Sequence, residues 1–253
     1  MVSKEFIVKK RLIAAILSFS VMLGIIGCGK GPDTGTGSAE NAAVSEPAEQ
    51  EPEIEVPELF VMDRPEFAGV VDGDAYINEY FGVRSDAPED YRFLTDQTIK
   101  FLGYWSMDLF NNSDSPDADD IVEYIKSGKN FMACVLSDSS YDNSLTVSIT
   151  GIDSSFSQDD AEYIIDAIIP SQIEYMGAIG GTNVTCERSV TTFLGEEMPC
   201  MNLDFDYESN GTALEMRMVQ VILVKDGYAA TITAQAGTDE SVATLLDSFS
   251  VIE

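Results

Sequence analysis

Asn210-Gly211 constrains this chain more than any other feature of its sequence. A two-residue hairpin turn needs positive φ at both central positions, and Asn followed by Gly accepts it readily. Counting outward from that turn places Tyr207 opposite Leu214, Phe205 opposite Met216 and Leu203 opposite Met218. All six are apolar and share one face of the ribbon, while Asp204 and Arg217 pair on the other. A slip of one residue would send every apolar side chain to the wrong face, so turn chemistry and face pattern agree on one register.

The neighbouring segments extend this hairpin into a four-strand meander over about 184–193, 198–207, 213–224 and 228–236. Asp226-Gly227 supplies the turn before the last strand. Val219, Val221 and Leu223 are apolar, and so is Ile222 between them, which predicts a strand covered on both faces. Leu194-Gly195-Glu196-Glu197 is read as the turn joining the first two strands. Matching their apolar faces then sets Val184 against Tyr207, Cys186 against Phe205, Val190 against Met201 and Cys200 against Thr191. In that register Cys186 and Cys200 lie on opposite faces and form no disulfide. A closing helix begins after Thr238, with Val242, Leu245, Leu246 and Phe249 on one face.

Upstream, 75–81 and 91–94 are strand candidates around the turn Asp86-Ala87-Pro88. Residues 95–110 read as a helix capped by Thr95, with Ile99, Leu102 and Trp105 on one face. A second helix has Ser115 as cap, Pro116 at its first position, Ile121, Val122 and Ile125 inward, and Gly128 as its stop. Segments 131–137 and 144–150 form a hairpin across a polar loop around Tyr141. A third helix begins at Ser157, with Asp159 and Asp160 complementing its dipole and Ala161, Ile164, Ile165 and Ile168 on its buried stripe. Pro170 is expected to kink or end it.

This order of elements is an α+β plan, an antiparallel sheet with helices packed on it. The stretch YINEYFGVRSDAPEDYRFLT, the meander and the closing LLDSFSVIE resemble the PsbP/DcrB-like fold, a helix–sheet–helix sandwich common among bacterial lipoproteins. That resemblance covers most of 70–253 at the level of plan. It implies a binding or scaffolding role and brings no catalytic residues.

The N-terminal part has a different logic. Lys9, Lys10 and Arg11 precede sixteen residues, Leu12 to Gly27, that are largely apolar, and Cys28 ends the run Ile25-Ile26-Gly27-Cys28. Basic residues, a short apolar stretch and a small residue make a secretory signal. The stretch falls short of the ~20 apolar residues that span a bilayer. Its end resembles the lipobox of bacterial lipoproteins, which implies lipid on the Cys28 thiol and removal of residues 1–27. Residues 28–59, rich in Gly, Ser, Pro, Ala and Glu, then read as a disordered acidic tether. Thirty such residues have an r.m.s. span of roughly 30 Å and reach at most about 100 Å. Residues 60–253 remain for a single α+β domain, a length sufficient for one core.

Charge and histidine content set chemical limits. The full chain carries a net charge of −30. Cleavage before Cys28 takes away four basic residues and one acidic residue, bringing it to −33. Such a surface repels nucleic acid and anionic headgroups and favours cations or a basic protein partner. The chain has no histidine. This excludes Ser-His-Asp and Cys-His nucleophiles and His-ligated zinc, haem or copper. Cys134, Cys186 and Cys200 are widely spaced, lack a CxxC and read as small apolar strand residues.

Other candidate sites rest on acidic and aromatic residues. Asp72-Gly73-Asp74 and the group Asp114, Asp117, Asp119 and Asp120 offer oxygens for calcium, but neither has EF-hand spacing. A glycosidase needs a pair of carboxylates, but sequence spacing supports none: Glu196-Glu197 occupy a turn, and Asp204 and Asp206 share the polar face of one strand, so they read as surface acids. Tyr76, Tyr80, Phe81, Tyr91 and Phe93 either line a groove or fill the core. No catalytic residue, metal or cofactor is assigned. The expected protein is a lipid-anchored extracytoplasmic lipoprotein that binds or assembles at the cell surface. A carboxylate-dependent hydrolase acting on envelope polymer is the alternative, and a transporter's solute-binding protein is a third reading.

Overall fold

The computed structural model describes residues 64–100, 102, 127, 130–140, 142–178, 180–209 and 212–252. The signal segment, Cys28, the tether and the helix expected between Ser115 and Gly128 lie outside them. The fold is α+β, with all strands paired antiparallel in two sheets. The small sheet contains β1 (Val70–Asp72), β2 (Ala75–Asn78), β3 (Val83–Asp86) and, from the far end of the chain, β11 (Phe249–Val251), in the order β1-β2-β3-β11. The large sheet has the order β4-β5-β6-β10-β9-β8-β7. Its strands are β4 (Tyr91–Phe93), β5 (Asn130–Asp138), β6 (Ser144–Gly151), β7 (Thr182–Phe193), β8 (Glu196–Ser209), β9 (Thr212–Lys225) and β10 (Tyr228–Ala236).

The register that Asn210-Gly211 dictates is the one observed. Phe205 pairs with Met216, Tyr207 with Leu214, Leu203 with Met218 and Asp204 with Arg217. Ser209 pairs with Thr212, leaving a two-residue connection whose own residues lie outside the described set. Asp226 and Gly227 take φ of 47° and 81°, as a two-residue hairpin turn requires.

Four details differ from the sequence reading. The β7–β8 register is shifted by two: Cys186 pairs with Leu203, Val190 with Pro199 and Cys200 with Ser189. Leu194 and Gly195, both at positive φ (54° and 81°), close a two-residue turn between Phe193 and Glu196. A shift of two preserves faces, so Cys186 and Cys200 still point opposite ways. The segment 75–81 breaks after Asn78, and β3 follows a turn through Gly82 at φ 70°. Phe249 leaves the closing helix and opens β11, although it remains buried in the same core.

The fourth is that Pro170 does not end its helix. Helix α1 (Ala161–Ala178) runs through it for two further turns. Pro170 sits on the exposed side, where a carbonyl that loses its N–H partner can bond to water instead. Ile164, Ile165 and Ile168 before it and Met176 after it are buried and hold both halves on the sheet. A capping box at Ser157 and Asp160 starts the element through a short 3-10 turn. Helix α2 (Asp239–Asp247) is capped by Thr238, whose hydroxyl accepts from Ser241 N at 3.2 Å. Thr95 likewise accepts from Thr98 N at the head of the helical residues 96–100.

The large sheet separates two layers. On one face, Leu136, Leu145, Val147, Ile149, Val221, Ile232 and Ala234 pack with Leu245 and Leu246 of α2 and with Tyr76 and Val83 of the small sheet. On the other, α1 places Ile164, Ile165 and Ile168 over Met201, Ile222 and Val224, and Met176 over Leu203, Phe205, Met216 and Met218. Val221 and Ile222 therefore enter different cores, and β9 is covered on both faces. Arg64 joins the start of the domain to the sheet. It donates to the carbonyls of Gly69 and Ala133, the latter at the β-bulge between Met132 and Cys134.

Candidate functional site

Strands β6 and β10 alternate strictly. In β6, Leu145, Val147 and Ile149 enter the α2-side core, with Ser144, Thr146, Ser148 and Thr150 between them. In β10, Ala230, Ile232 and Ala234 do the same, with Thr231, Thr233 and Gln235 between them. A strand with this pattern ordinarily keeps its polar face in water. Here every one of those polar residues is buried, none exposing more than 6% of its surface.

Pairing gathers them into rows. Ser148 faces Thr231, Thr146 faces Thr233 and Ser144 faces Gln235. Strand β9 adds Gln220 beside Thr233, and Gln220 Nε2 donates to Thr233 Oγ1 at 2.9 Å. Thr150 Oγ1 donates to Asn130 Oδ1 at 3.2 Å. Helix α1 contributes Gln172 from its sheet-facing stripe, one turn after Ile168 and one before Met176, all three buried.

Much of this hydrogen-bonding capacity has no protein partner. Ser148 Oγ, Thr231 Oγ1, Gln220 Oε1, Tyr175 Oη and both side-chain amide atoms of Gln172 and Gln235 are buried without one. Leaving one such atom unpaired costs roughly 1–3 kcal/mol. Together these eight would rival the entire stability of an ordinary domain, about 5–15 kcal/mol. Buried polar atoms in working proteins generally find a partner in protein or ordered water, which sets this face apart from the rest of the core. The atoms comprise three amide oxygens, two amide nitrogens and three hydroxyls, hence donors and acceptors but no charge. Burial pushes the Tyr175 phenol well above its ordinary range, so it stays protonated and able to donate.

The residues singled out from sequence sit elsewhere. Cys28, the proposed lipid attachment residue, and Asp114, Asp117, Asp119 and Asp120 lie outside the described residues. Asp72 and Asp74 are exposed on either side of Gly73 in the β1–β2 turn. Among the described residues no group of three or more Cys, Asp or Glu side chains converges as a metal site. Glu196 and Glu197 open β8, exposed, and do not occupy the turn expected for them. Asp204 is exposed, and Asp206 accepts from Asn183 at 2.6 Å. Arg217, paired across the ladder with Asp204, makes its ion pair with Asp239 at the start of α2.

The aromatic residues serve the core. Tyr76 is buried, and Phe81, Tyr91 and Phe93 pack against the α2-side cluster. Tyr80 stands edge-on to Tyr228 at 5.9 Å, with Lys225 Nζ 5.3 Å from its ring centre. The cysteines are also core residues. Burial pushes the Cys186 thiol up to about 12 and Cys200 to about 11, and raises Cys134 further, so none is a ready nucleophile at neutral pH. Sequence reading passed over the polar face. Its signal was present in SLTVSIT and ATITAQA, but such alternation normally marks a solvated surface.

No family model matches this sequence, and no curated protein does. Among solved structures, the chain is similar to cyanobacterial PsbP (CyanoP) from Synechocystis sp. PCC 6803, with 14% identity and a TM-score of 0.38, covering 72% of this chain and 94% of that one. It is also similar to LpqN, a protein involved in cell envelope biogenesis of Mycobacterium tuberculosis, with 13% identity and a TM-score of 0.34, covering 71% and 84%.

Proposed function

We propose that this protein is a lipid-anchored extracytoplasmic lipoprotein whose folded domain binds a molecule without transforming it. The observation that carries the anchor is the basic run and short apolar segment ending at Cys28, followed by some thirty residues with almost nothing to bury. Lipid on Cys28 holds the chain to the cell membrane, and the acidic tether sets the domain off its surface. No helix among the described residues is long and apolar enough to cross a membrane. Support for a role without catalysis comes from composition and burial: the chain has no histidine, and burial holds the Cys134, Cys186 and Cys200 thiols protonated at neutral pH, so none of them is an activated nucleophile.

Cys28→Ser tests the anchor. The variant leaves the membrane fraction and loses fatty-acid labelling; unchanged labelling places the anchor elsewhere. Catalysis is tested on the purified protein, which gives no turnover of esters, peptides or phosphate esters. Reproducible turnover that disappears when one carboxylate is substituted would favour the hydrolase.

A further inference from the structure

We propose that the free edge of β7 is a docking site for an extended, basic peptide segment of another protein, which adds to the large sheet as a further strand. The proposal deepens the binding reading above by naming the class of partner, and rests on it. Among the described strands, β7 ends the large sheet and pairs with β8 alone. The other terminal strands, β1, β4 and β11, have three residues each, whereas β7 has 12. Hairpin geometry tells which of its backbone groups are free. Leu194-Gly195 closes a two-residue turn, so Phe193 and Glu196 are hydrogen-bonded to each other, and bonded and non-bonded pairs alternate from there. Pro199, which has no N–H to give, falls opposite Val190 at a non-bonded position, as that alternation requires. The N–H and C=O groups of Cys186, Arg188, Val190 and Thr192 therefore point away from β8, off the edge of the sheet.

A long edge is ordinarily guarded by Lys, Pro or a bulge. Between Thr185 and Phe193, β7 has no Lys, Pro or Gly, and its bulge lies earlier, between Thr182 and Thr185. Its one cation, Arg188, is drawn over the sheet by Glu162 and Asp166 of α1, the latter at 3.0 Å. Val190 lies on the same side of the sheet as Arg188 and Cys186. Glu162, Asp166, Ile169 and Ile173 follow the i, i+4, i+7, i+11 spacing of one helix flank, so the flank that reaches Arg188 overlooks the edge along its length. Val190 is 62% exposed and Ile173 41%, so two large apolar side chains border the free backbone groups. A strand laid ~4.8 Å beyond β7 bonds those groups and sets every second side chain against Val190 and Ile173. Charge selects the occupant. The chain carries −30, and beside the edge Glu162, Asp166 and Glu187 outnumber Arg188. A second copy brings the same charge and is repelled, whereas β-branched residues flanked by Lys or Arg are attracted.

The test uses the full chain in detergent with two synthetic peptides, KVTVTVTVK and its acidic twin EVTVTVTVE. Binding is read by fluorescence anisotropy of the labelled peptide, and its place by amide hydrogen exchange in NMR spectra. The basic peptide binds saturably, about tenfold or more tighter than the acidic one, and slows exchange at Cys186, Arg188, Val190 and Thr192. Val190→Pro deletes an outward donor and no ladder bond, so it weakens binding about tenfold while Tm stays level. Ile173→Ser, at an exposed helix position, weakens binding severalfold and decides the matter if Val190→Pro melts lower. Five outcomes overturn the site: neither peptide binds, the acidic one binds as tightly, exchange at the four amides is unchanged, Ile173→Ser binds as well as the parent, or the chain forms a concentration-dependent dimer that Val190→Pro dissolves. The last would give the edge to a second copy. Mass spectrometry of the recovered peptide separates this proposal from the broader reading. A cleaved peptide sustains the docking edge and overturns the non-catalytic role; an intact one sustains both.

Discussion

Two regions of this domain bury polar side chains, and their neighbours treat them in opposite ways. In the small sheet, Tyr76 and Asn78 form a closed network. Tyr76 Oη donates to Ala68 O, Asn78 Nδ2 donates to Tyr76 Oη and Phe67 O, and Asn78 Oδ1 accepts from Phe81 N, all between 2.7 and 3.0 Å. In the large sheet, Gln235, Thr231 and Ser148, and on helix α1 Gln172, are as deeply buried, and the side-chain atoms that would bond have no protein partner. The first arrangement fixes the chain: it ties β2 to the segment before β1 and to the turn before β3. The second makes no such side-chain bonds and ties no element to another. Burial alone does not show which polar groups hold the fold together; the state of their hydrogen bonds does.

The contrast makes graded predictions for unfolding by urea. Asn78→Ala removes three bonds and strands the partners of a closed network, so it should cost about 2–4 kcal/mol. A loss below half that would mean the network is not what holds the small sheet. Gly69→Ala strikes the same network through the backbone. Gly69 has φ of 66°, and a Cβ there would sit 2.5 Å from the Ile77 carbonyl oxygen and 2.9 Å from Asn78 Cβ. The expected loss is on the order of 2 kcal/mol, and a neutral result would show that β1 and β2 can separate freely. Tyr76→Phe keeps the ring and removes one hydroxyl, which should cost about 1–2 kcal/mol.

The sequence made the meander legible because two signals there are short-range and redundant. A two-residue turn and an alternating face agreed on Leu203, Phe205, Met216 and Met218, and the structure pairs them so. Leu194-Gly195 was less legible: Leu is an uncommon residue at positive φ, so a longer turn was the natural reading and the register came out two residues off. The small sheet was largely hidden, since β11 closes on β3 from the far end of the chain and three-residue strands carry little pattern. The polar face was written in the sequence as alternation, but whether water or protein covers such a face is a tertiary property. No local pattern in β6 or β10 encodes it.

The most direct measurement is the unfolding free energy of the Thr231→Val, Gln235→Met double variant. Both substitutions keep approximate shape and remove three of the eight unpartnered atoms. If the polar face contributes no bonds to the fold, the folded protein gains from losing these atoms, and the variant should match the parent or exceed it by up to about 2 kcal/mol. A loss of about 2 kcal/mol or more would contradict the account, because it would show that these groups hold the fold together as Tyr76 and Asn78 do.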